Sequence, residues 1–363
     1  TLFPKVAGSL LILCAMAIHI SAATGPSKTK LSVSIMNNGE KKQGEVQKAA
    51  EQEQAEGKKE RIEFAWHAFP DDARFKVLGL YWFDANKPLL WRLPEDRMAV
   101  APQGVAQRAK SPSGGRIYMK CSTSKLGLKV FAKNRGNGKG FDVYINGKFY
   151  KSIVSEQPNI ETELVLFSDF DKMGKEITIY LPYHQEILVN AVGVDKDAVF
   201  QAPKPVFQKA FPIVYYGSSI CQGTGASKPG MTYGAIIARE LGVDFVNLGF
   251  GGAGKAEKIV VELVNSIPAC CYVFDLGKSY GMQDKNPYET MIRAVRKSHP
   301  GVPIVCITPI TSALEMYSES YKQRSEHTRD VMNDAAKEVI SQDSSNIFLI
   351  DGVKLFGYDE HDG

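Results

Sequence analysis

The sequence contains little cysteine, no excess of charge of one sign and no apolar run long enough to cross a bilayer. Its six cysteines are irregularly spaced and match neither a zinc site nor a disulfide framework. Lysine and arginine number 44 against 40 aspartates and glutamates, so nucleic acid is not expected as a partner. With 44% hydrophobic and 23% charged residues in 363, the composition excludes a wholly disordered, fibrous or polytopic membrane protein. A globular chain of two or three domains is predicted.

Residues 1–23 have the order typical of a secretory signal peptide. Lys5 is followed by the apolar run Val6–Ile18 and then by small residues. The run is too short to span a bilayer stably, so we expect export, into the periplasm or out of the cell, and no stable membrane span. Because position 1 is threonine, we expect the reading frame to continue upstream. Residues 24–61 are polar, show no apolar stripe and are interpreted as a spacer.

The region 62–210 consists of short runs rich in β-branched and aromatic residues, which glycine, asparagine, aspartate and proline separate. This pattern indicates strands with little helix between them. Asn146-Gly147 lies between two of the runs and favours a type I′ hairpin turn, because both residues tolerate a positive φ. The region therefore predicts an antiparallel β-sandwich or jelly-roll domain, with a role in packing or in carbohydrate binding.

From residue 211 to residue 363 apolar runs alternate with amphipathic stretches, which predicts a second domain of β–α repeats. Near-continuous apolar strands indicate a doubly wound, parallel, five-stranded α/β sheet with helices on both faces. In such sheets the chemistry lies at the carboxyl ends of the strands. The predicted strands are Pro212–Tyr216, Asp244–Leu248, Cys270–Leu276, Pro303–Thr308 and Asn346–Ile350, and the predicted helices are Thr232–Leu241, Lys255–Val264, Pro287–Ser298 and Glu319–Ile340.

The first predicted strand is followed by Gly217–Ile220, with the sequence GSSI. A serine at a strand-to-helix turn can present its hydroxyl at the sheet edge, where the amides that begin the helix can hold an anion. The stretch is not the G-x-S-x-G nucleophile elbow, because Cys221 occupies the place of the second glycine. Ser219 is therefore interpreted either as a nucleophile or as a cap of the helix that follows.

The second predicted strand is followed by the glycine-rich loop Gly249–Lys255, with the sequence GFGGAGK. It matches G-x-G-x-x-G, and Asp275 lies near the spacing of a ribose-binding acid, so a dinucleotide-binding oxidoreductase is one hypothesis. Against it, that fingerprint normally opens the first β–α–β unit, and here a strand–serine–helix unit precedes it. A P-loop is disfavoured because Ala256 replaces the hydroxyl that binds Mg²⁺. The glycines otherwise only permit a tight turn.

These loops resemble those of the SGNH hydrolases, the GDSL-like lipase and acylhydrolase family, in a branch with a β-sandwich before the hydrolase domain. Gly217–Ile220 is similar to the G-D-S-L block, which implies Ser219 as the nucleophile. The glycine-rich loop resembles the block whose glycine donates an amide to the oxyanion, which implies Gly252. Gly277–Tyr280 stands in the place of G-x-N-D, where Ser279 replaces the asparagine that is the third donor. The resemblance covers residues 62–363 and implies a flavodoxin-like SGNH fold.

The last block of that family, D-x-x-H, supplies the histidine base and the aspartate that orients it, and it has no match in this sequence. Asp351 is followed three residues later by Lys354, and Asp359 precedes His361 by only two positions. Because His361 falls in a predicted loop, a solvated side chain is the simpler interpretation. We therefore expect the block to lie beyond residue 363 and the hydrolase domain to be incomplete here.

The sequence thus predicts an exported serine esterase or acylhydrolase, with an O-acetylated carbohydrate as the favoured substrate by analogy with the β-sandwich. Ser219 would attack the ester carbonyl, and the amides of Ser219 and Gly252, with Ser279, would hold the oxyanion. Such acyl transfer needs no metal and no organic cofactor. The alternatives are a catalytically inactive glycan-binding protein and the dinucleotide-dependent oxidoreductase. The oligomeric state stays open.

Overall fold

The computed structural model describes residues 62–136, 140–343 and 346–355. The predicted signal peptide, the spacer and His361 lie outside these residues. Ten strands occupy the first part of the described chain, in agreement with the β-rich pattern of its sequence. They are β1 (Ala65–Ala68), β2 (Lys76–Leu78), β3 (Arg116–Ser122), β4 (Leu126–Ala132), β5 (Phe141–Ile145), β6 (Lys148–Ile153), β7 (Glu161–Phe167), β8 (Gly174–Tyr180), β9 (Ile187–Val194) and β10 (Val199–Gln201).

These strands form two antiparallel sheets that share one apolar core. One sheet has the order β1-β9-β4-β7, and the other has the order β10-β3-β8-β5-β6 with β2 paired to β3. Ile117, Met119 and Cys121 of β3 lie in the shared core, because alternate side chains of a strand point to the same face. The predicted antiparallel β-rich domain is confirmed.

The turn between β5 and β6 has the geometry that Asn146-Gly147 predicts. The φ angles of Asn146 and Gly147 are 49° and 77°, and the two strands pair in antiparallel fashion up to Ile145 and Lys148. Asparagine and glycine reach this left-handed conformation at the lowest cost, so the dipeptide itself defines where the hairpin turns.

Three short helices differ from the expectation of little helix before residue 210: α1 (Phe83–Asn86), α2 (Glu95–Met98) and α3 (Gln103–Ala109). Apolar residues of this segment, Leu93, Met98 and Val105 among them, pack into a core cluster that belongs to the second half of the chain. Helices of four to seven residues are too short to show a 3.6-residue period in the sequence. They are stabilised by tertiary packing rather than by their own propensity.

The second half contains the parallel sheet that the sequence predicts. Its strands pair in the order β12-β11-β13-β14-β15, the flavodoxin-like order, so the predicted fold class is confirmed. Every observed strand end lies within one residue of the predicted end. The strands are β11 (Ile213–Gly217), β12 (Phe245–Gly249), β13 (Cys271–Asp275), β14 (Ile304–Ile307) and β15 (Ile347–Ile350).

Helices cover both faces of this sheet. The buried residues of α6, α7 and α9 pack on one face with α2 and α3, whereas α5 packs on the other with Tyr144 and Tyr180 of the β-sandwich. None of the helices in the described parts of the chain is long and apolar enough to cross a membrane. The helices are α4 (Ser219–Gln222), α5 (Tyr233–Leu241), α6 (Lys258–Asn265), α7 (Asn286–Ser298), α8 (Leu314–Tyr317), α9 (Glu319–Gln342) and α10 (Gly352–Leu355).

Candidate active site

A cavity of about 390 Å³ opens at the carboxyl edge of the parallel sheet. Ser219, Gly252 and Ser279, the three residues that the sequence singles out, all line it. They follow β11, β12 and β13, which are neighbours in the sheet. Parallel strands bring their carboxyl ends to one edge, so three loops that are distant in sequence meet there.

Ser219 begins α4 directly after β11 and is half-buried at the cavity wall. The amide of Ser218 donates to the Asp275 carbonyl at 3.0 Å, which ties the turn to the neighbouring strand. Within the described residues the Ser219 Oγ makes no hydrogen bond, and neither does its amide, which is one of the unpaired amides that begin a helix. The hydroxyl is therefore free to meet a ligand rather than engaged in capping α4.

The backbone of this turn approaches β13 so closely that only glycine fits at position 217. A Cβ at Gly217 would lie 2.1 Å from the Asp275 carbonyl oxygen and 2.6 Å from the Cβ of Cys221. Gly277 has a φ of 56°, and a Cβ there would lie 2.9 Å from the Oγ of Ser218. These glycines let the loops after β11 and β13 pack against each other behind the cavity.

The loop after β12, here called the glycine turn (Gly249–Gly254), uses nearly every amide for its own structure. The amides of Phe250, Gly251, Ala253 and Gly254 donate to the Gly217 carbonyl, the Gln222 side chain, the Phe250 carbonyl and the Glu257 carboxylate, respectively. The amide of Gly252 is the exception, because it has no partner among the described residues. It lies at the cavity wall and is exposed, as a donor to a bound anion must be.

Side chains from both halves of the chain hold the glycine turn. Gln222 of α4 accepts from the Gly251 amide at 2.7 Å and donates to the Tyr183 carbonyl at 2.8 Å. Arg92, which is 1% exposed, donates to the carbonyls of Asn247 and Gly249 at 3.1 and 2.5 Å. Its guanidinium also lies 4.7 Å from the centre of the Phe250 ring. The turn is therefore fixed from behind, with the Gly252 amide left toward the cavity.

The loop after β13 is a short 3₁₀ helix, Gly277–Tyr280. Ser279 is half-buried at the cavity wall, and its hydroxyl has no partner among the described residues. Lys278 is held instead by the fully buried carboxylate of Glu315, with 2.6 Å between Nζ and Oε1. Ser279 is the residue to which the resemblance assigns the third oxyanion donor, and its side chain is shorter than that of asparagine.

Glu315 also binds Arg329 through both carboxylate oxygens, each at 2.8 Å. Burial disfavours the charged form of this carboxyl, but the hydrogen bonds from Arg329 and Lys278 outweigh burial and lower the pKa of Glu315 below its ordinary value. Arg329 donates further to the carbonyls of Pro309 and Ile310 at 2.9 Å, and both of these residues line the cavity. One buried ionic centre therefore supports the loops after β13 and β14.

No histidine of the described residues lines this cavity. The ring nitrogens of His184 contact Gln222 and Thr224, behind the glycine turn, at 3.1 and 2.9 Å. Burial, with the nearby charges of Arg92 and Arg108, lowers the pKa of His184 to about 4, so its ring is neutral and weakly basic. Asp351 directly precedes α10 and Lys354 lies within it, and neither residue lines the cavity.

The dinucleotide hypothesis gains no support from the arrangement of the strands. Its fingerprint loop belongs after a central strand, whereas the glycine turn follows β12 at the edge of the sheet. Asp275 is 9% exposed and accepts from the Tyr233 hydroxyl at 3.0 Å, and burial raises the pKa of Asp275 to about 6. Among the described residues, no three histidine, cysteine, aspartate or glutamate side chains come together as metal ligands.

Sequence reasoning missed the residues that hold the site, chiefly Gln222, Arg92 and Glu315. Arg92 and its acceptor Gly249 are 157 residues apart, and no local pattern connects them. The only usable signal was the position of Gln222, one turn after Ser219 at the start of a helix.

The predicted helix at Lys255 in fact begins at Lys258, because the Glu257 carboxylate accepts from the amide of Lys255 at 2.7 Å.

Comparison with known families gives two matches that cover most of the chain. Residues 210–363 match the model of the GDSL-like Lipase/Acylhydrolase family, and residues 64–200 match the model described as the N-terminus of Esterase_SGNH_hydro-type. No curated protein matches the chain.

Solved structures share the fold at low sequence identity. A GDSL-like lipase from Bacteroides ovatus is 24% identical with a TM-score of 0.70, over 82% of this chain and 90% of that one. A salicylyl-acyltransferase from a tetracycline biosynthetic pathway is 20% identical with a TM-score of 0.69, over 82% and 87%. A family two carbohydrate esterase from Cellvibrio japonicus is 15% identical with a TM-score of 0.54, over 80% and 89%. At these identities the likeness establishes the fold.

Proposed function

Since the chain belongs to the GDSL-like lipase/acylhydrolase family, a family of enzymes that act on ester bonds, we propose that it is a serine esterase whose nucleophile is Ser219. The observation that carries the proposal is the set of unengaged groups at one cavity. The Ser219 hydroxyl, the amides of Ser219 and Gly252, and the Ser279 hydroxyl all lack partners among the described residues, and all three residues line the cavity.

In the proposed reaction the Ser219 Oγ bonds to the ester carbonyl carbon and gives up its proton to a base. The charge that develops on the carbonyl oxygen is held by the amides of Ser219 and Gly252, with Ser279 as the third donor. The alcohol then leaves with a proton, and water hydrolyses the acyl-serine. We assign the base to no described histidine, because none of them lines the cavity.

Carbohydrate esters are the substrate class that we propose. The β-sandwich in front of the α/β domain supports this, as does the fold shared with the carbohydrate esterase of Cellvibrio japonicus.

We retain the domain limits 62–210 and 211–363, with the signal peptide at 1–23 and the spacer at 24–61. We also retain export as part of the proposal, and mass spectrometry of the N-terminus of the mature protein would test it.

Hydrolysis of p-nitrophenyl acetate by the purified full-length protein tests the nucleophile. Ser219→Ala should lower kcat by at least about a thousandfold and abolish labelling by a fluorophosphonate probe. Ser218→Ala is the matched control, because Ser218 is the adjacent, buried hydroxyl, and it should keep both activities. Labelling that survives in Ser219→Ala, or equal rates in Ser219→Ala and wild type, would remove the assignment.

The second candidate is a glycan-binding protein without catalytic activity. It rests on Ser279 in place of asparagine and on the lack of a histidine at the cavity among the described residues. Binding of an acetylated xylan oligosaccharide with no labelling and no hydrolysis by the wild-type protein would favour this candidate over the esterase.

A further inference from the structure

The charged side chains that line the cavity are all cationic. They are Lys255, Lys278 and Arg324, and no carboxylate is among the lining residues of the described chain. Glu315 lies behind the wall, fully buried, and is shared by Lys278 and Arg329. The charge of Glu315 is therefore already shared by two cations, and the side chains that line the cavity carry a net positive charge.

Two of these three cations have no counter-ion among the residues that the structure describes. Lys255 lies just after the glycine turn and is half-buried, and Arg324 is exposed on α9. Neither side chain forms an ion pair or a hydrogen bond with another described residue. The guanidinium of Arg324 packs close to Gly281, since a Cβ at that glycine would lie 3.4 Å from its Nη2.

The three cations reach the cavity from separate elements, which distinguishes the arrangement from a solvated charge run along one helix. Lys255 follows β12, Lys278 follows β13, and Arg324 lies on α9. Tyr321, one helical turn before Arg324, also lines the cavity, and its ring lies 5.2 Å from the Nζ of Lys278. Cations that converge on one cavity raise the local concentration of an anionic ligand.

We propose that the ester cleaved at Ser219 carries a carboxylate, in its acyl or its alcohol part, and that Arg324 and Lys255 bind this carboxylate. This inference rests on the proposed function. A guanidinium matches a carboxylate through two parallel hydrogen bonds, and an ammonium adds a charge without fixing its direction. Neutral acetyl esters would then be accepted as substrates, and acidic esters, such as those of uronic acids, would be preferred.

The test compares two esters of nearly equal size, 4-acetoxybenzoate and 4-acetoxybenzamide, in the full-length protein. The preference is the ratio of their kcat/KM values, and wild type should favour the carboxylate. Arg324→Gln should lower this ratio about tenfold, as expected for a charge-assisted hydrogen bond, and Lys255→Gln should lower it by a smaller factor. About 0.5 M NaCl should weaken the wild-type preference. Lys322→Gln, on the same helix but outside the cavity lining, should leave the ratio unchanged.

An acidic acyl group is tested in the same way with mono-p-nitrophenyl succinate against p-nitrophenyl acetate. A preference in this pair alone would assign the carboxylate to the acyl part. No preference in either pair, or the same fall in rate for charged and neutral esters in Arg324→Gln, would overturn the inference while leaving the esterase intact. Conversely, hydrolysis that persists in Ser219→Ala would overturn the proposed function itself.

Binding to Ser219→Ala, followed by ligand-observed NMR, provides a readout that does not depend on turnover. Ser219→Ala should bind 4-acetoxybenzoate more tightly than 4-acetoxybenzamide, and Arg324→Gln in the Ser219→Ala background should remove most of the difference. Equal binding of the two compounds by Ser219→Ala would overturn the inference even if neither ester were hydrolysed.

Discussion

Arg92 and Arg329 each donate hydrogen bonds to the backbone of a loop that forms the cavity. Of the two, only Arg329 pairs with a carboxylate of the described residues. Arg92 holds the glycine turn and donates to the carbonyls of Ser111 and Arg108 as well, at 2.7 and 2.6 Å. Arg329 holds the Pro309–Ile310 segment and also pairs with Glu315. Both arginines are largely buried: Arg92 is 1% exposed, and the side chain of Arg329 is 11% exposed.

The difference shows two ways to accommodate a buried cation. Four carbonyl dipoles and the face of Phe250 surround Arg92, yet burial still lowers its pKa to about 9. Arg329 instead has a counter-ion, the carboxylate of Glu315, which it shares with Lys278. Removing one partner therefore has different consequences at Arg92 and at Arg329, because only the loss of Glu315 takes a counter-ion away from buried cations.

The largest effect is expected for Glu315→Gln. The amide would keep an acceptor but no charge, so Lys278 and Arg329, both largely buried, would lose the carboxylate that they share. Breaking a buried pair in this way costs about 3–5 kcal/mol of unfolding free energy, measured by urea denaturation. Glu319→Gln on the exposed start of α9 is the control and should change stability by less than about 0.5 kcal/mol. Equal changes in the two variants would contradict the assigned role of Glu315.

Arg92→Met should cost less, about 2 kcal/mol, because the lost hydrogen bonds to four carbonyls are partly offset by removal of a buried cation. The glycine turn would lose its support, so kcat for an ester should fall by more than KM changes. Arg97→Met is a matched control. Arg97 also connects the two halves of the chain, by a 3.0 Å pair with Glu262, but both partners are exposed, and such pairs contribute at most about 1 kcal/mol.

Whether a feature could be predicted from the sequence depends on whether it has a local pattern or acts on residues far away in the chain. The strands of the parallel sheet were placed to within one residue, because each is a continuous apolar run between polar ends. The cavity-lining loops were found because GSSI and GFGGAGK are local patterns at strand ends. Arg92, Glu315 and Arg324 were not found, because each acts on residues far away in sequence and has no local pattern of its own. The roles of Ser219, Gly252 and Ser279 remain predictions.

A smaller effect is expected for Gln222→Met, which keeps the size of the side chain and removes its polar groups. The amide of Gly251 would lose its acceptor and the Tyr183 carbonyl its donor, a cost of about 1–2 kcal/mol. Hydrogen exchange of the Gly251 amide should become faster, and kcat should fall because the neighbouring Gly252 amide is less well positioned. Gln323→Met, on the exposed side of α9, should change neither measurement.

The smallest expected effect is a dependence of stability on pH, which should have opposite signs at the two buried carboxyls, Glu315 and Asp275. The pKa of Glu315 is below its ordinary value, so its stabilising contribution is present above that value and is lost as the pH falls through the lowered pKa. The pKa of Asp275 is raised to about 6, so its contribution is present at low pH and is lost as the pH rises through about 6.

The cost of Glu315→Gln should therefore shrink as the pH falls from about 6 to about 3. Asp275→Asn, which can still accept from Tyr233, should instead become more stable relative to wild type between about pH 4 and pH 8, by on the order of 1 kcal/mol. Urea denaturation of the three proteins across this range measures both trends. Parallel trends in the two variants would mean that the ion pairs of Glu315 do not outweigh its burial. The contrast between a buried cation with a carboxylate partner and one without would then fail at this site.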